Sequence, residues 1–262
     1  MESSMSEQQE NMNTVAPLRN VVAMVALIDR VLNRSHNLPG MATFYGPSGF
    51  GKTSAAIYAT IKFNAVTVQV KSAWSTKALC EAILAEMGIP PIPPVSRMID
   101  QISQHLALTG LPLLIDEADF LVQRKMIEIV RDIYEGSGAP VILIGEELLP
   151  QKLRPWERVH GRILDWVAAQ PGDLTDLGHL ARIYAPGIEI APDLRAKLLT
   201  ASHGSIRRIC VNLDRIREFA VIRGLARVSL NEWATQPFFT GAAPEIRKFG
   251  ETPRRAAAGS GR

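Results

Sequence analysis

The chain has 262 residues, of which 47% are hydrophobic, so it can bury a core large enough for one large domain or for a large and a small one. No apolar run approaches the ~20 residues that span a bilayer, and residues 1–13 contain three glutamates and no basic residue, which excludes a secretory signal. We therefore expect a soluble, cytoplasmic protein without a membrane partner. Its net charge of +3 and pI near 9.0 leave room for a polyanionic partner.

The two cysteines and five histidines give no sign of a metal or disulfide framework. Cys80 and Cys210 lie far apart, without a CxxC or Cys/His spacing. In a reducing compartment such cysteines serve as small buried apolar residues far more often than they form a disulfide or a metal site. We assign none of the histidines to a metal.

The N-terminal part of the chain leads up to a glycine-rich motif. Residues 1–14 are polar and predicted to be disordered. Apolar residues then recur at helical spacing from Val21 to Leu32, and Asn37-Leu38-Pro39-Gly40 ends that helix. Met41–Tyr45 follows as a short apolar strand, and Ser54–Ile61 is predicted to be a helix.

The motif between this strand and this helix is typical of a phosphate-binding loop. Its residues are Gly46, Pro47, Ser48, Gly49, Phe50, Gly51, Lys52 and Thr53, with Ser54 next in the helix. Glycines let several backbone N–H groups point at one phosphate, and the helix N-terminus adds partial positive charge. Lys52 would reach the β- and γ-phosphates of ATP, and the Thr53 hydroxyl would bind Mg²⁺. The alternative is an ordinary strand-to-helix turn.

A second motif follows after one strand and two helices. The alternating, β-branched segment 65–70 predicts the second strand, and helices are predicted over 75–87 and 96–109. The apolar run 111–115 is typical of a central parallel strand, and it ends in Asp116-Glu117-Ala118-Asp119. This is the Walker B arrangement, in which Asp116 would hold Mg²⁺ and Glu117 would polarise the attacking water. An acidic pair at this place can also be a simple helix N-cap.

The rest of the chain predicts more of the same sheet and then a change of pattern. A helix is predicted over 120–134, and strands over 139–145 and 163–168. Strands alternating with helices indicate a parallel sheet covered on both faces. Beyond Gly172 no strand is predicted, and helices are predicted near 173–184, 192–202, 205–223 and 229–235. We therefore expect an α/β domain over 15–170, an all-helical second domain over 171–236 hinged at Pro171-Gly172, and a basic, disordered tail over 237–262.

These motifs together resemble the AAA+ ATPases, which have a three-layer αβα domain followed by a small helical lid. More narrowly, the stretch from about residue 20 to residue 236 resembles the target-selecting ATPases of DNA transposition, typified by the B protein of phage Mu and the ATPases of Tn7-like elements. The narrower resemblance is carried by 114–119, by the arginine-bearing segment 156–163 and by His203-Gly204-Ser205-Ile206-Arg207, which is similar to the sensor 2 motif of the lid.

The resemblance implies roles for arginines that the spacing of the motifs does not give. In AAA+ proteins an arginine from a neighbouring subunit completes the γ-phosphate site, and Arg162 is the first candidate here and Arg158 the second. Arg207 would contact the γ-phosphate from the lid of the same subunit. Each of them could instead be an ordinary surface or ion-pairing arginine. At the place of the polar sensor 1 residue this chain has Glu146 after Gly145, so hydrolysis is expected to be slow or to need an activator.

The resemblance also implies partners. From the resemblance we expect ATP-dependent helical filaments on double-stranded DNA, with little sequence preference, that recruit a transposase. Lys71 and Lys77 match the place where relatives contact DNA, and Arg97, Arg124 and Lys125 are further candidates. Solvated surface residues are the alternative for each. Two other functions share these motifs: a helicase loader or replication initiator, and a nucleotide-gated protein-interaction switch that does not bind DNA.

Overall fold

Five parallel strands form the centre of the molecule in the computed structural model, which describes residues 17–241. Their order across the sheet is β2-β3-β4-β1-β5. The strands are β1 (Met41–Tyr45), β2 (Val66–Gln69), β3 (Leu113–Asp116), β4 (Val141–Gly145) and β5 (Ile163–Ala168). The predicted parallel α/β fold is confirmed. The predicted disordered leader, and the tail arginines and lysine from Arg247 onward, lie outside the described residues.

Helices cover both faces of this sheet. They are α1 (Arg19–Leu32), α2 (Lys52–Phe63), α3 (Thr76–Glu86), α4 (Val95–Thr109), α5 (Asp119–Gln123), α6 (Ile127–Ser137), α7 (Leu149–Leu153) and α8 (Glu157–His160). The helices predicted from apolar spacing near the N-terminus and after the first two strands agree with these bounds to within two residues at each end.

Alternate residues of the central strands belong to two separate cores. In β4, Ile142 and Ile144 pack on the face that α1 and α2 cover, while Val141 and Leu143 pack on the face that α3, α4 and α6 cover. Because the strand is buried on both faces, it reads as a continuous apolar run rather than as an alternating pattern. The result is a three-layer αβα arrangement.

The C-terminal part of the described chain packs on the α1 and α2 side of the sheet. It consists of α9 (Leu174–Tyr184), α10 (Pro192–Ser202), α11 (Ile206–Arg223) and α12 (Leu230–Trp233), with two short strands, β6 (Glu189–Ile190) and β7 (Arg227–Val228). These strands pair in parallel, so the expectation that no strand follows Gly172 was wrong. Strands of two residues are too short to produce an alternating pattern in the sequence.

Two other segments differ from the sequence-based expectation. The helix predicted over 120–134 is broken into α5 and α6 at residues 124–126, where Lys125 has a φ of 58° and Met126 is buried. Because no glycine or proline lies at residues 124–126, this break in the helix could not be predicted from the local sequence. The polar segment after β4 contains the short helices α7 and α8, each of five residues or fewer.

Within residues 17–241, no helix combines the length and the hydrophobicity needed to cross a membrane. Cys80 is buried in the core between α3 and the sheet, whereas Cys210 on α11 is only half-buried, and both are free thiols. The expectation of a buried small residue therefore holds for Cys80 and only partly for Cys210.

Candidate functional site

The glycine-rich loop connects the carboxyl end of β1 to the start of α2, at the carboxyl edge of the sheet. Gly49 and Gly51 have φ values of 84° and 83°, a left-handed backbone that favours glycine. A Cβ atom on Gly49 would also lie 2.6 Å from Ser205 Oγ. At the start of the loop, Gly46 N donates a hydrogen bond to the carbonyl of Gly145 at the end of β4 (3.2 Å). The loop is thus held by the sheet on one side and by the C-terminal helices on the other.

Lys52, the first residue of α2, turns back over the loop. Its Nζ donates to the carbonyl oxygens of Gly46 (2.7 Å) and Pro47 (3.0 Å). Burial lowers the pKa of Lys52, and the nearby carboxylates, Asp116 first among them, act in the opposite direction. A phosphate would give this ammonium a charged acceptor in place of neutral carbonyl oxygens, which adds a direct attraction between opposite charges.

Thr53 and Asp116 meet across the site. Thr53 Oγ1 donates to Asp116 Oδ2 (2.9 Å), and Asp116 Oδ1 accepts from the backbone N–H of Glu117 (2.9 Å). Asp116 ends β3 and is only 4% exposed. A hydroxyl oxygen and a carboxylate oxygen this close together are ligands that suit Mg²⁺. The pair predicted as metal ligands is therefore brought together and fits the ion.

Glu117 follows in a left-handed conformation, with a φ of 56°. For a residue with a side chain this costs about 1–2 kcal/mol, so the surrounding structure must hold it. Burial, and then the charge of Asp116, raise the pKa of Glu117, while Lys52 acts in the opposite direction. A carboxylate with a raised pKa beside a phosphate loop has the character of a general base.

These residues line one cavity of about 470 Å³, a volume typical of small-molecule sites. Its polar end is formed by the loop, Asp116, Glu117 and Glu146. Its other end is mostly apolar and lies against α9 and α11, where the lining residues are Leu18, Leu180, Ile183, Tyr184, Ile206, Cys210 and Val211. Sequence reasoning missed this apolar wall, because its members carry no motif and come together only in the folded chain.

Arg207 at the start of α11 is the one predicted arginine that reaches this cavity. The residue belongs to the lining, and its backbone N–H donates to the carbonyl of Gly49 (3.1 Å). Ser205, the N-cap of α11, also donates through Oγ to the Gly49 carbonyl (3.4 Å). The predicted sensor 2 segment therefore contacts the phosphate loop directly.

Asn20 on α1 is a second contact that the sequence did not reveal. It is 3% exposed, and its Nδ2 donates to the carbonyls of Phe50 (2.8 Å) and Gln170 (2.7 Å). Its Oδ1 accepts from the backbone N–H of Gln170 (2.8 Å). One side chain thus joins the phosphate loop to the segment that leads from β5 to α9.

Arg158 and Arg162 lie elsewhere. Arg162 forms an ion pair with Glu135 and donates to the carbonyl of Arg158 (2.8 Å). Its own carbonyl accepts from Met41 N, the first residue of β1, which places this segment at the edge of the sheet opposite the phosphate loop. Neither arginine lines the cavity of its own chain, and their predicted contact with a neighbouring subunit stays a prediction.

The basic residues considered for nucleic acid are all exposed. Lys71 lies 5.9 Å from the ring centroid of Trp74, and Arg124 Nε donates to the carbonyl of Ser72 (2.7 Å). Lys77 is in a loose pair with Glu81 (3.6 Å) in the first turns of α3. The other two are Arg97, in the first turn of α4, and Lys125, between α5 and α6.

Comparison with known proteins agrees with this geometry. Residues 35–153 match the sequence model of the AAA domain. None of the curated proteins is significantly similar to the chain in sequence.

Several solved structures have a similar fold. The Orc1 protein of Aeropyrum pernix in complex with DNA has 18% identity and a TM-score of 0.58, covering 80% of this chain and 61% of that one. Cdc6p of Pyrobaculum aerophilum has 16% identity and a TM-score of 0.55, covering 79% and 62%. A variant of RuvB from Thermotoga maritima has 15% identity and a TM-score of 0.56, covering 84% and 69%. The chain thus spans about three fifths of the length of the first two proteins.

Residues 35–153 thus match the AAA domain, and the similar structures agree with the parallel α/β fold described above. The phosphate loop, the Thr53–Asp116 pair and Glu117 are groups of the kind that P-loop ATPases use to bind nucleotide and to activate water.

Proposed function

We propose that this chain is an ATP-dependent, DNA-binding AAA+ ATPase that assembles on double-stranded DNA and recruits or activates a transposase. The observation that supports DNA binding best is the grouping of exposed basic side chains near the carboxyl ends of β2 and β3. Lys71 follows β2 and Lys125 lies in the turn between α5 and α6. The Arg124–Ser72 hydrogen bond ties these two turns together.

The helix after β2 brings further positive charge to the same edge. α3 begins just after β2, which places Lys77 there. Arg97, in the first turn of α4, is a further exposed basic residue. Basic groups from several elements on one edge are suited to contact the phosphates of DNA. Such contacts carry little information about the DNA sequence. One structural neighbour, the Orc1 protein, was solved in complex with DNA, which supports nucleic acid as a ligand for this fold.

The geometry supports one role for each residue of the nucleotide site. The loop amides and Lys52 hold the phosphates, and Thr53 with Asp116 would hold Mg²⁺, which neutralises charge on the phosphates when bound. Glu117 orients the attacking water and accepts its proton. Arg207 adds positive charge from α11, which already contacts Gly49 through the backbone.

Assembly links this site to a neighbouring copy. Arg162, with Arg158 as the second candidate, lies at the far edge of the sheet, away from the cavity of its own chain. In a head-to-tail oligomer that edge can face the nucleotide of the next subunit. An arginine supplied in this way stabilises transition-state charge and can raise the rate by about 10³–10⁵-fold, so ATP binding, assembly and hydrolysis become coupled.

Sedimentation and electron microscopy with plain duplex DNA test the proposal. ATP is expected to cause assembly on DNA of any sequence, and added salt is expected to weaken it steeply. The double variant Lys71→Ala/Lys125→Ala should lower the slope of log affinity against log salt by about 2. The control Lys62→Ala/Lys197→Ala removes the same charge from two other exposed sites and should keep the native slope. Absence of ATP-dependent assembly on DNA would overturn the proposal.

The transposase step needs its own measurement. With the transposase of the same genetic element, the assembled protein should increase strand transfer into the DNA that it covers. Loading of a replicative helicase instead would favour a helicase loader or replication initiator. ATP binding without DNA retention at any salt concentration would favour a nucleotide-gated protein switch.

A further inference from the structure

A buried carboxylate fixes the turn that follows β4. Asp119 is 3% exposed, and its Oδ1 accepts a hydrogen bond from Lys152 Nζ on α7 (2.6 Å). Its Oδ2 accepts from the backbone N–H of Glu146 (2.7 Å). A Cβ atom on Gly145 would clash with this oxygen, so the approach requires glycine. The position of the Glu146 backbone is therefore set by Asp119.

This turn is also part of the nucleotide site. The Gly145 carbonyl accepts from Gly46 N at the start of the phosphate loop. Glu146 lines the cavity beside Lys52 and Glu117. A negative charge at Glu146 is thus placed in the wall that surrounds the phosphate-binding lysine.

The Glu146 side chain is held only weakly. It is 62% exposed, and its Oε2 lies 3.8 Å from Lys152 Nζ, whereas Lys152 is 2.6 Å from Asp119. Lys152 is therefore anchored by a buried partner, and its ammonium also attracts the Glu146 carboxylate. An exposed carboxylate with one loose partner can turn toward or away from the cavity at little cost.

We propose that Glu146 sets the preference of this site between nucleoside triphosphate and diphosphate, and that Lys152, anchored by Asp119, is the positioning residue that keeps the Glu146 carboxylate away from the terminal phosphate. The inference rests on nucleotide binding at the phosphate loop. Its physical basis is electrostatic repulsion. A carboxylate near Lys52 repels a nucleoside triphosphate more than a diphosphate, because the third phosphate adds negative charge. Lys152 reduces this repulsion by pairing with the carboxylate.

The ratio of two affinities tests the inference without hydrolysis and without DNA. Dissociation constants for a non-hydrolysable ATP analogue and for ADP, both with Mg²⁺, are measured by fluorescence competition. Glu146→Gln is expected to shift the ratio toward the triphosphate by about three- to tenfold, as a unit charge several ångströms away would. Lys152→Met should shift it in the opposite direction, and adding Glu146→Gln to Lys152→Met should reverse that shift.

Controls separate this role from a purely structural one. Lys152→Met leaves Asp119 buried without its cation and is expected to lower the melting temperature. Lys152→Arg keeps the charge, and Asp119→Asn/Lys152→Met removes both charges, so these variants keep the test usable if Lys152→Met does not fold. Glu147→Gln removes the neighbouring exposed charge, which does not line the cavity, and should leave the ratio unchanged.

The outcomes are distinct from those of the DNA experiment. A ratio that stays within about 1.5-fold of native in Glu146→Gln would overturn the inference, whether or not the protein assembles on DNA. A lower melting temperature in the Lys152 variants with an unchanged ratio would show that Lys152 is only structural. Failure to assemble on DNA would leave the ratio and its interpretation intact.

Discussion

Replacement of Asn20 by alanine tests the connection between α1, the phosphate loop and the segment after β5. The variant removes three hydrogen bonds, two to the Gln170 backbone and one to the Phe50 carbonyl. It also leaves these part-buried backbone groups without this partner. Each such bond contributes about 1 kcal/mol net, and a buried group left unpaired costs about 1–3 kcal/mol. We expect Asn20→Ala to lower the free energy of unfolding by about 2–4 kcal/mol.

The assay is urea denaturation followed by circular dichroism, with and without nucleotide. Because Phe50 belongs to the phosphate loop, nucleotide should stabilise Asn20→Ala less than the native protein. Asn33→Ala is the matched control, since Asn33 is exposed and its Nδ2 makes one local bond to the Asp29 carbonyl (2.8 Å). Its loss should be within about 0.5 kcal/mol. Equal effects of the two variants would refute the reasoning.

Two further substitutions each test the role of one carboxylate, the first in ATP turnover and the second in stability. Glu117→Gln should lower ATP turnover by about 10²-fold or more while nucleotide affinity, measured by calorimetry, changes little; turnover near the native rate would show that another group activates the water. Asp173 caps α9, and its pKa is lowered by the hydrogen bond from the Asp176 backbone and also by Arg19. Since its pKa in the folded state lies below that in the unfolded state, its stabilisation is present above the unfolded value and lost as the pH falls through the folded one. Asp173→Ala should therefore lower the free energy of unfolding by about 1 kcal/mol at neutral pH. Urea titrations should show that this difference from native protein shrinks below about pH 4. A constant difference down to pH 3 would contradict the role of Asp173 as a charged cap.

The parts of the site that the sequence predicted are local in the chain. The glycines, Lys52 and Thr53 follow one another, and Asp116 and Glu117 end an apolar run. Their chemistry depends on short spacings, and the parallel sheet brings the two motifs to one edge. The Thr53–Asp116 hydrogen bond spans 63 positions, yet it follows from the order of the strands, because β1 and β3 both flank β4.

The parts that the sequence did not predict depend on distant contacts between ordinary residues. Asn20 is 150 positions from Gln170, and nothing near it in the chain marks it as buried. Lys152 lies in a segment that reads as polar loop, and its importance comes from the buried Asp119, 33 positions earlier. A single sequence contains no signal for such pairings, because polar residues of these types are usually exposed.

Isothermal titration calorimetry of ATP with Mg²⁺ tests the central claim, that the phosphate loop binds the nucleotide, most directly. Native protein should bind one ATP per chain, and Lys52→Ala should weaken binding by at least about tenfold, the loss expected for a charge-assisted hydrogen bond. Lys62→Ala, an exposed lysine at the other end of α2, should bind as the native protein does. If native protein gave no binding heat, or if Lys52→Ala bound ATP as tightly as native protein, the account of this site would be contradicted.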